Sequence, residues 1–211
     1  MKRNIEDMQR KAARFFNWIS ENIDLSVDLP SPLRHVCGVD VSYKGPEALG
    51  ACVLYDLFQS RIVETVCVKT KVHFPYIPTL LFLREAVPMI KSISRLLRSP
   101  QLILVDANGI LHPFRSGLAC FIGLYFDKPT VGVAKKLLCG RIRKWKGLET
   151  VFLDDDPLGF VYKRRGSKKK FFVSPAHKLN FEETVRLFEE ILAKESLPTK
   201  LAHVLSLRCR R

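Results

Sequence analysis

The chain has 211 residues, of which 47% are apolar, and its mean hydropathy is +0.02. That composition excludes an extended, disordered protein and allows one domain with a sizeable core. Its 35 Lys+Arg against 21 Asp+Glu give a formal net charge of +14, so an acidic partner is expected, nucleic acid first. No run of 18 apolar residues occurs, so no membrane-spanning helix is expected. The opening MKRNIEDMQRKAARFF lacks the apolar core of a secretory signal.

In chain order, residues 5–23 place Ile5, Met8, Ala12, Phe15, Phe16 and Ile19 at helical spacing, with basic residues between them. We expect residues 1–30 to form a helical extension packed on a single domain, closed by Pro30 and Pro32. Residues 35–43, HVCGVDVSY, read as a buried strand with Asp40 between Val39 and Val41. Residues 49–58 and 62–70 are two further strands joined by a short Gln59-Ser60-Arg61 turn, giving an antiparallel meander. Phe74-Pro75-Tyr76-Ile77-Pro78 is a proline-stiffened loop. The helix after it carries Phe82, Ala86, Met89, Ile93 and Leu96 on one stripe, with Glu85 at its margin and Pro88 inside it.

Residues 102–105 are four apolar residues ended by Asp106, with the turn signal Asn108-Gly109 behind them. Residues 130–134 form a second apolar run that ends at Lys135, and residues 116–126 between the two are long enough for a helix. A strand–helix–strand crossover makes its two strands parallel. This one ends its strands in an acid and a base, where open α/β sheets bind ligands. Residues 135–170 are strongly basic, and residues 158–162 and 171–174 read as a hairpin joined by the basic Arg165-Gly166-Ser167 turn. Residues 181–193 read as a closing helix, and residues 201–207 hold His203. The element order predicts an α/β fold, a ribonuclease-H-like mixed five-stranded sheet with helices on its faces. No Cys-x-x-Cys pair occurs among the six cysteines. Cys37, Cys52, Cys67 and Cys120 read as small buried hydrophobes, and reduced thiols in the cytoplasm are expected.

Six blocks resemble the endonuclease V family: CGVDVSY at 37–43, FPYIP with LREA at 74–86, VDANGILHPFRSGLA at 105–119, KPTVGVAKKLL at 128–138, SPAHK at 174–178 and LPTKLAHVLS at 197–206. They follow the family's order and cover nearly the whole chain. The resemblance implies a ribonuclease-H-like fold and a Mg²⁺-dependent endonuclease, with Mn²⁺ as a substitute ion. It would act as a monomer on inosine-containing DNA or RNA, nicking the second phosphodiester bond 3′ to the inosine. The sequence leaves two other readings open. One is a related nuclease that cuts inosine-containing RNA, or structured nucleic acid without inosine specificity. The other is a binding module with no chemistry.

Residue by residue, a lone strand-end aspartate usually caps a turn, but Asp40 and Asp106 each follow an apolar run, which points to ligands for a hard cation. Glu85 completes the acidic set by resemblance, although a glutamate on a helix margin is otherwise simply exposed. Lys135 resembles the family's lysine near the scissile phosphate, and His203 its late histidine, against the bland alternatives of a solvated lysine and a hydrogen-bonded histidine. The stretch Tyr76, Ile77, Pro78, Thr79 and Leu81 resembles the family's wedge and base-contacting segment, with Tyr76 the stacking residue. Ala107 and His112 fall beside the base pocket by the same resemblance. The chain departs from the family's pattern at Thr79 and Ala107, where glycine is usual, and at Phe114, where arginine is usual.

Overall fold

The structure is a computed structural model and describes every residue except 1, 28, 73, 75–81, 164–168, 194–196 and 211, with no account of the side chains at 2–9, 83, 192 and 193. In chain order the elements are α1 (Lys2–Asn22), β1 (His35–Lys44), β2 (Glu47–Asp56), β3 (Arg61–Lys71), α2 (Phe82–Ile93), β4 (Leu102–Val105), α3 (Leu118–Phe126) and β5 (Thr130–Ala134). They continue as β6 (Arg141–Trp145), β7 (Leu148–Leu153), β8 (Asp156–Lys163), β9 (Lys170–His177), α4 (Phe181–Ala193) and α5 (Pro198–Arg208). The described strands form one mixed sheet in the order β3-β2-β1-β4-β5-β9-β8-β7-β6. The expected meander is present, with β1, β2 and β3 antiparallel to one another in turn. The crossover strands β4 and β5 are parallel, and β4 is also parallel to β1.

The α/β class holds, but the sheet has nine strands where five were expected. The difference lies in the basic stretch. β6 is RIRKW, four of whose five residues are exposed, so no apolar alternation marks it. Charged residues suit an edge strand because they discourage pairing with other chains. β9 lies beside β5, and this pairing brings β8, β7 and β6 into the same sheet.

The middle of the sheet is buried on both faces. Cys37, Val39, Ile103 and Val105 point into one core together with Phe16, Met89 and Ile122 of α1, α2 and α3. Val36, Leu102, Leu104, Val131 and Val133 point into the other, under Leu187, Phe188 and Ile191 of α4. Two glycines set how closely helices approach. A Cβ on Gly38 would lie 2.1 Å from the carbonyl carbon of Pro198, so the first turn of α5 rests on the backbone of β1. A Cβ on Gly50 would lie 2.2 Å from the carbonyl oxygen of Pro88, so α2 rests on β2. α2 runs continuously through Pro88.

The described part of α1 packs through Phe15 and Phe16, whose rings lie 5.1 and 5.3 Å from that of Phe82. Cys37, Cys52 and Cys120 are buried and free, as expected. Cys67 is not: alternation along β3 turns it outward, and a disulfide joins it to Cys209 just past α5. That pair corrects the expectation of uniformly reduced thiols. No helix among the described residues is long and apolar enough to cross a membrane.

Candidate active site

β4 stops pairing with β1 at Val39↔Val105, and the next residue on each strand is an aspartate. The Asp106 N–H donates to the Val39 carbonyl at 3.0 Å, holding the end of β4 against β1. Asp40 and Asp106 therefore arrive side by side through ordinary parallel register. Asp40 is only 5% exposed and faces α5. Its Oδ2 accepts from the Ser206 hydroxyl at 2.7 Å and lies 3.1 Å from Nδ1 of His203. His203 and Ser206 are three residues apart on α5, so one helical face presents both. The Ser42 hydroxyl donates to the Ser206 carbonyl at 2.7 Å and fixes that turn on β1. One oxygen of Asp40, one of Asp106 and one ring nitrogen of His203 all lie within 4.8 Å of one another.

Lys135 follows β5, and its Nζ lies 2.6 Å from Oδ2 of Asp106. Glu85 enters from α2, on the opposite face of the sheet, and is 9% exposed. Its Oε1 accepts from the Tyr43 hydroxyl at 3.2 Å. It lies beside the group of three, close enough to feel the charges of both aspartates.

The electrostatics follow from this crowding. Burial pushes the Asp106 carboxyl up to about 7, and Asp40 adds to the rise through its hydrogen bond and charge, while Lys135 opposes it. Burial pushes Glu85 up to about 8, against the Tyr43 hydroxyl and with the charges of Asp40 and Asp106. Carboxyls held this far above their ordinary range are short of water first, and beside negative charge that one lysine does not cancel. The paired carboxylate oxygens fit a hard divalent cation such as Mg²⁺ or Mn²⁺, and a bound cation would favour the ionised forms.

The remaining expected site residues divide. Tyr76, Ile77, Pro78, Thr79 and Leu81 lie outside the described residues. Phe74 at the head of that stretch is described, and its carbonyl accepts from Arg84 Nη1 of α2 at 2.9 Å. Ala107 directly follows Asp106 and is not among the residues with positive φ, so the backbone there admits a side chain. His112 is buried, and burial lowers its imidazole to about 4. Its ring lies 4.9 Å from that of Phe16 and 6.0 Å from that of Phe114, and it is not in the group formed by Asp40, Asp106 and His203. Two partners were not read from the sequence: Ser206 on Asp40 and Tyr43 on Glu85. The signal for the first is the spacing of His203 and Ser206, visible only once residues 198–208 are known to be helical.

Two carboxylates side by side on neighbouring parallel strands, with a histidine and a lysine, at the carboxyl end of β4 and β5, are the equipment of a hydrolase that cuts phosphodiesters. The chain belongs to the endonuclease V family: residues 17–204 match the family model described as Endonuclease V. Endonuclease V of Thermofilum pendens is 41% identical over 180 residues, covering 83% of this chain and 78% of that protein. The structure of endonuclease V from Streptomyces avermitilis superposes with a TM-score of 0.82 at 26% identity, covering 97% of this chain and 92% of that one. Ciona intestinalis endonuclease V, in complex with a 24mer DNA containing an inosine followed by a ribo-adenosine, shares the fold with a TM-score of 0.81 at 21% identity, over 96% and 97% of the two chains.

Proposed function

We propose that the chain, acting as one catalytic domain with α1 packed on it, is a Mg²⁺-dependent endonuclease that recognises inosine in nucleic acid and nicks the second phosphodiester bond on its 3′ side. The observation that carries this reading is the 4.8 Å grouping of Asp40, Asp106 and His203. Membership of the endonuclease V family supports it, and the inosine-containing DNA bound by the Ciona relative supports the substrate. Asp40, Asp106 and the neighbouring Glu85 would hold the ion, which when bound supplies charge neutralisation at the phosphate and Lewis acidity.

The chain's own side chains supply the rest. Lys135, 49% exposed, sets its ammonium beside Asp106, where it can hold a phosphate oxygen or offset charge on the leaving oxygen. Asp40 fixes Nδ1 of His203, leaving Nε2 of a ring that is 41% exposed to take or give a proton at a water. Tyr76, Ile77, Pro78, Thr79 and Leu81 act as the wedge and base contact, and Ala107 lines the approach to the base. His112 supports that pocket as a neutral ring, because burial holds it unprotonated at neutral pH. The proposed compartment is the cytoplasm.

The test uses matched strands that differ only in inosine or adenosine, as DNA and as RNA, incubated with Mg²⁺ and mapped for the cut. A single nick one bond beyond the inosine's 3′ neighbour is expected, with Asp40→Ala and Asp106→Ala abolishing it while binding largely survives. Equal cutting of the adenosine strands, or full activity in both variants, contradicts the reading.

A further inference from the structure

We propose that the sheet edge bearing the carboxylates continues outward as a phosphate track, in which Lys170, Lys163 and Lys144 hold the backbone of one flank of the bound nucleic acid. The proposal rests on the nuclease reading above. It adds where the rest of the strand runs.

The strand register lays the track out. Ala134, the residue before Lys135, pairs with Phe172 of β9, so Phe171 and then Lys170 follow at the same edge. Lys170 pairs with Lys163 of β8, and Lys144 of β6 pairs with Glu149 of β7. Because β9 and β8 are antiparallel, as are β7 and β6, all four residues lie at the end of the sheet where β5 reaches Lys135 and β4 reaches Asp106. An ion pair between Lys163 and Glu149 links β8 to β7. Lys163, through its hydrogen bond and charge, and Lys170 and Lys144, through their charges, hold the Glu149 carboxyl below its ordinary value.

Like charges directly opposite each other on paired strands are destabilising, and Lys163 and Lys170 are such a pair. A chain of phosphates relieves that repulsion. The reach also fits. Four strand-to-strand steps of about 4.8 Å separate β5 from β6, about 19 Å in all. Phosphates on one strand of a duplex recur every 3.4 Å or so along the axis, so the row spans about five or six of them. The row leaves the carboxylates in one direction only, so it serves one flank. Glu149 stands where a phosphate would sit and competes with it.

The test measures affinity for inosine-containing duplexes in EDTA, so that nothing is cut, over a salt series and with each flank trimmed in turn. The triple variant Lys144→Ala/Lys163→Ala/Lys170→Ala loses at least about tenfold on the untrimmed duplex near 0.1 M salt, and the slope of log affinity against log salt shrinks by about 3. Trimming one flank, and not the other, erases its difference from the wild type. Glu149→Gln, which needs no loss of a lysine, tightens binding and steepens the slope by about 1. Wild-type affinity and slope in both variants, or a loss that survives trimming of either flank, overturns the track. Nicking of the same duplexes by the wild type with Mg²⁺ is scored separately. Its absence overturns the reading of the active site, whereas nicking alongside variants that bind like the wild type overturns the track alone.

Discussion

At the scale of single residues, the site's protonation decides when it works. In the unfolded chain Asp106 and Glu85 release their protons in the ordinary carboxylate range, whereas in the folded protein without metal they hold them up to about 7 and about 8. The folded state therefore binds more protons between those limits, and the contribution of these two groups to stability falls as pH rises through that window. A cation reverses the sign, because it binds the ionised forms and releases the protons. We expect Mg²⁺ to raise the melting temperature more at pH 8.5 than at pH 5.5, and the Mg²⁺ concentration for half-maximal nicking to fall over the same range. An equal thermal shift at both values contradicts this account. Asp40 and Asp106 were legible in the sequence because each follows an apolar run, Asp40 inside a buried strand and Asp106 at the tip of one, and a buried carboxylate there needs a partner. Tyr43 and Ser206 were not, since a tyrosine late in a strand and a serine late in the chain have no pattern of their own; both acquire a role only when the sheet and α5 are assembled.

At the scale of elements, α5 is what turns a pair of strand aspartates into a site with a histidine. It sits close because Gly38 has no side chain under Pro198. Gly38→Ala would drive a methyl into backbone and push α5 off β1, costing about 1–3 kcal/mol or more by overpacking. It should also reduce nicking through the displaced His203, while Asp40 and Asp106 keep their register. A melting temperature and activity equal to the wild type's would show that α5 does not depend on this contact. α5 was also the hardest element to read. The residues it turns inward are Thr199, Ala202 and Ser206, small or polar, while Val204 and Leu207 are about two-fifths exposed. Its apolar residues therefore do not mark its buried face, which defeats the usual periodicity. The opposite holds for β4 and β5: LILV and TVGVA are buried at every position and were placed residue for residue. β6 failed for a third reason: an edge strand has little to bury, so its sequence carries charge in place of alternation. β7 buries two adjacent residues, Thr150 and Val151, and so shows no alternation either.

At the scale of the whole molecule, the sheet separates two tasks that share one edge. Its parallel centre gathers the carboxylates, and its antiparallel wing, of which the sequence showed the β8–β9 hairpin but not β6 and β7, carries the lysines outward. The formal charge of +14 is thus organised in space, and binding should weaken steeply with salt because phosphate contacts release counterions. The family and the α/β class were readable from motif order along the chain, whereas the strand count was not, because that wing is defined by pairing with β9 and not by its own composition. The account as a whole turns on a divalent cation seated between Asp40 and Asp106. Crystals of the protein grown with Mn²⁺ and measured for anomalous scattering should show a peak in contact with both carboxylates, lost in Asp106→Asn. Mn²⁺ bound elsewhere with this position empty, or a peak between the two residues that persists unchanged in Asp106→Asn, would contradict it.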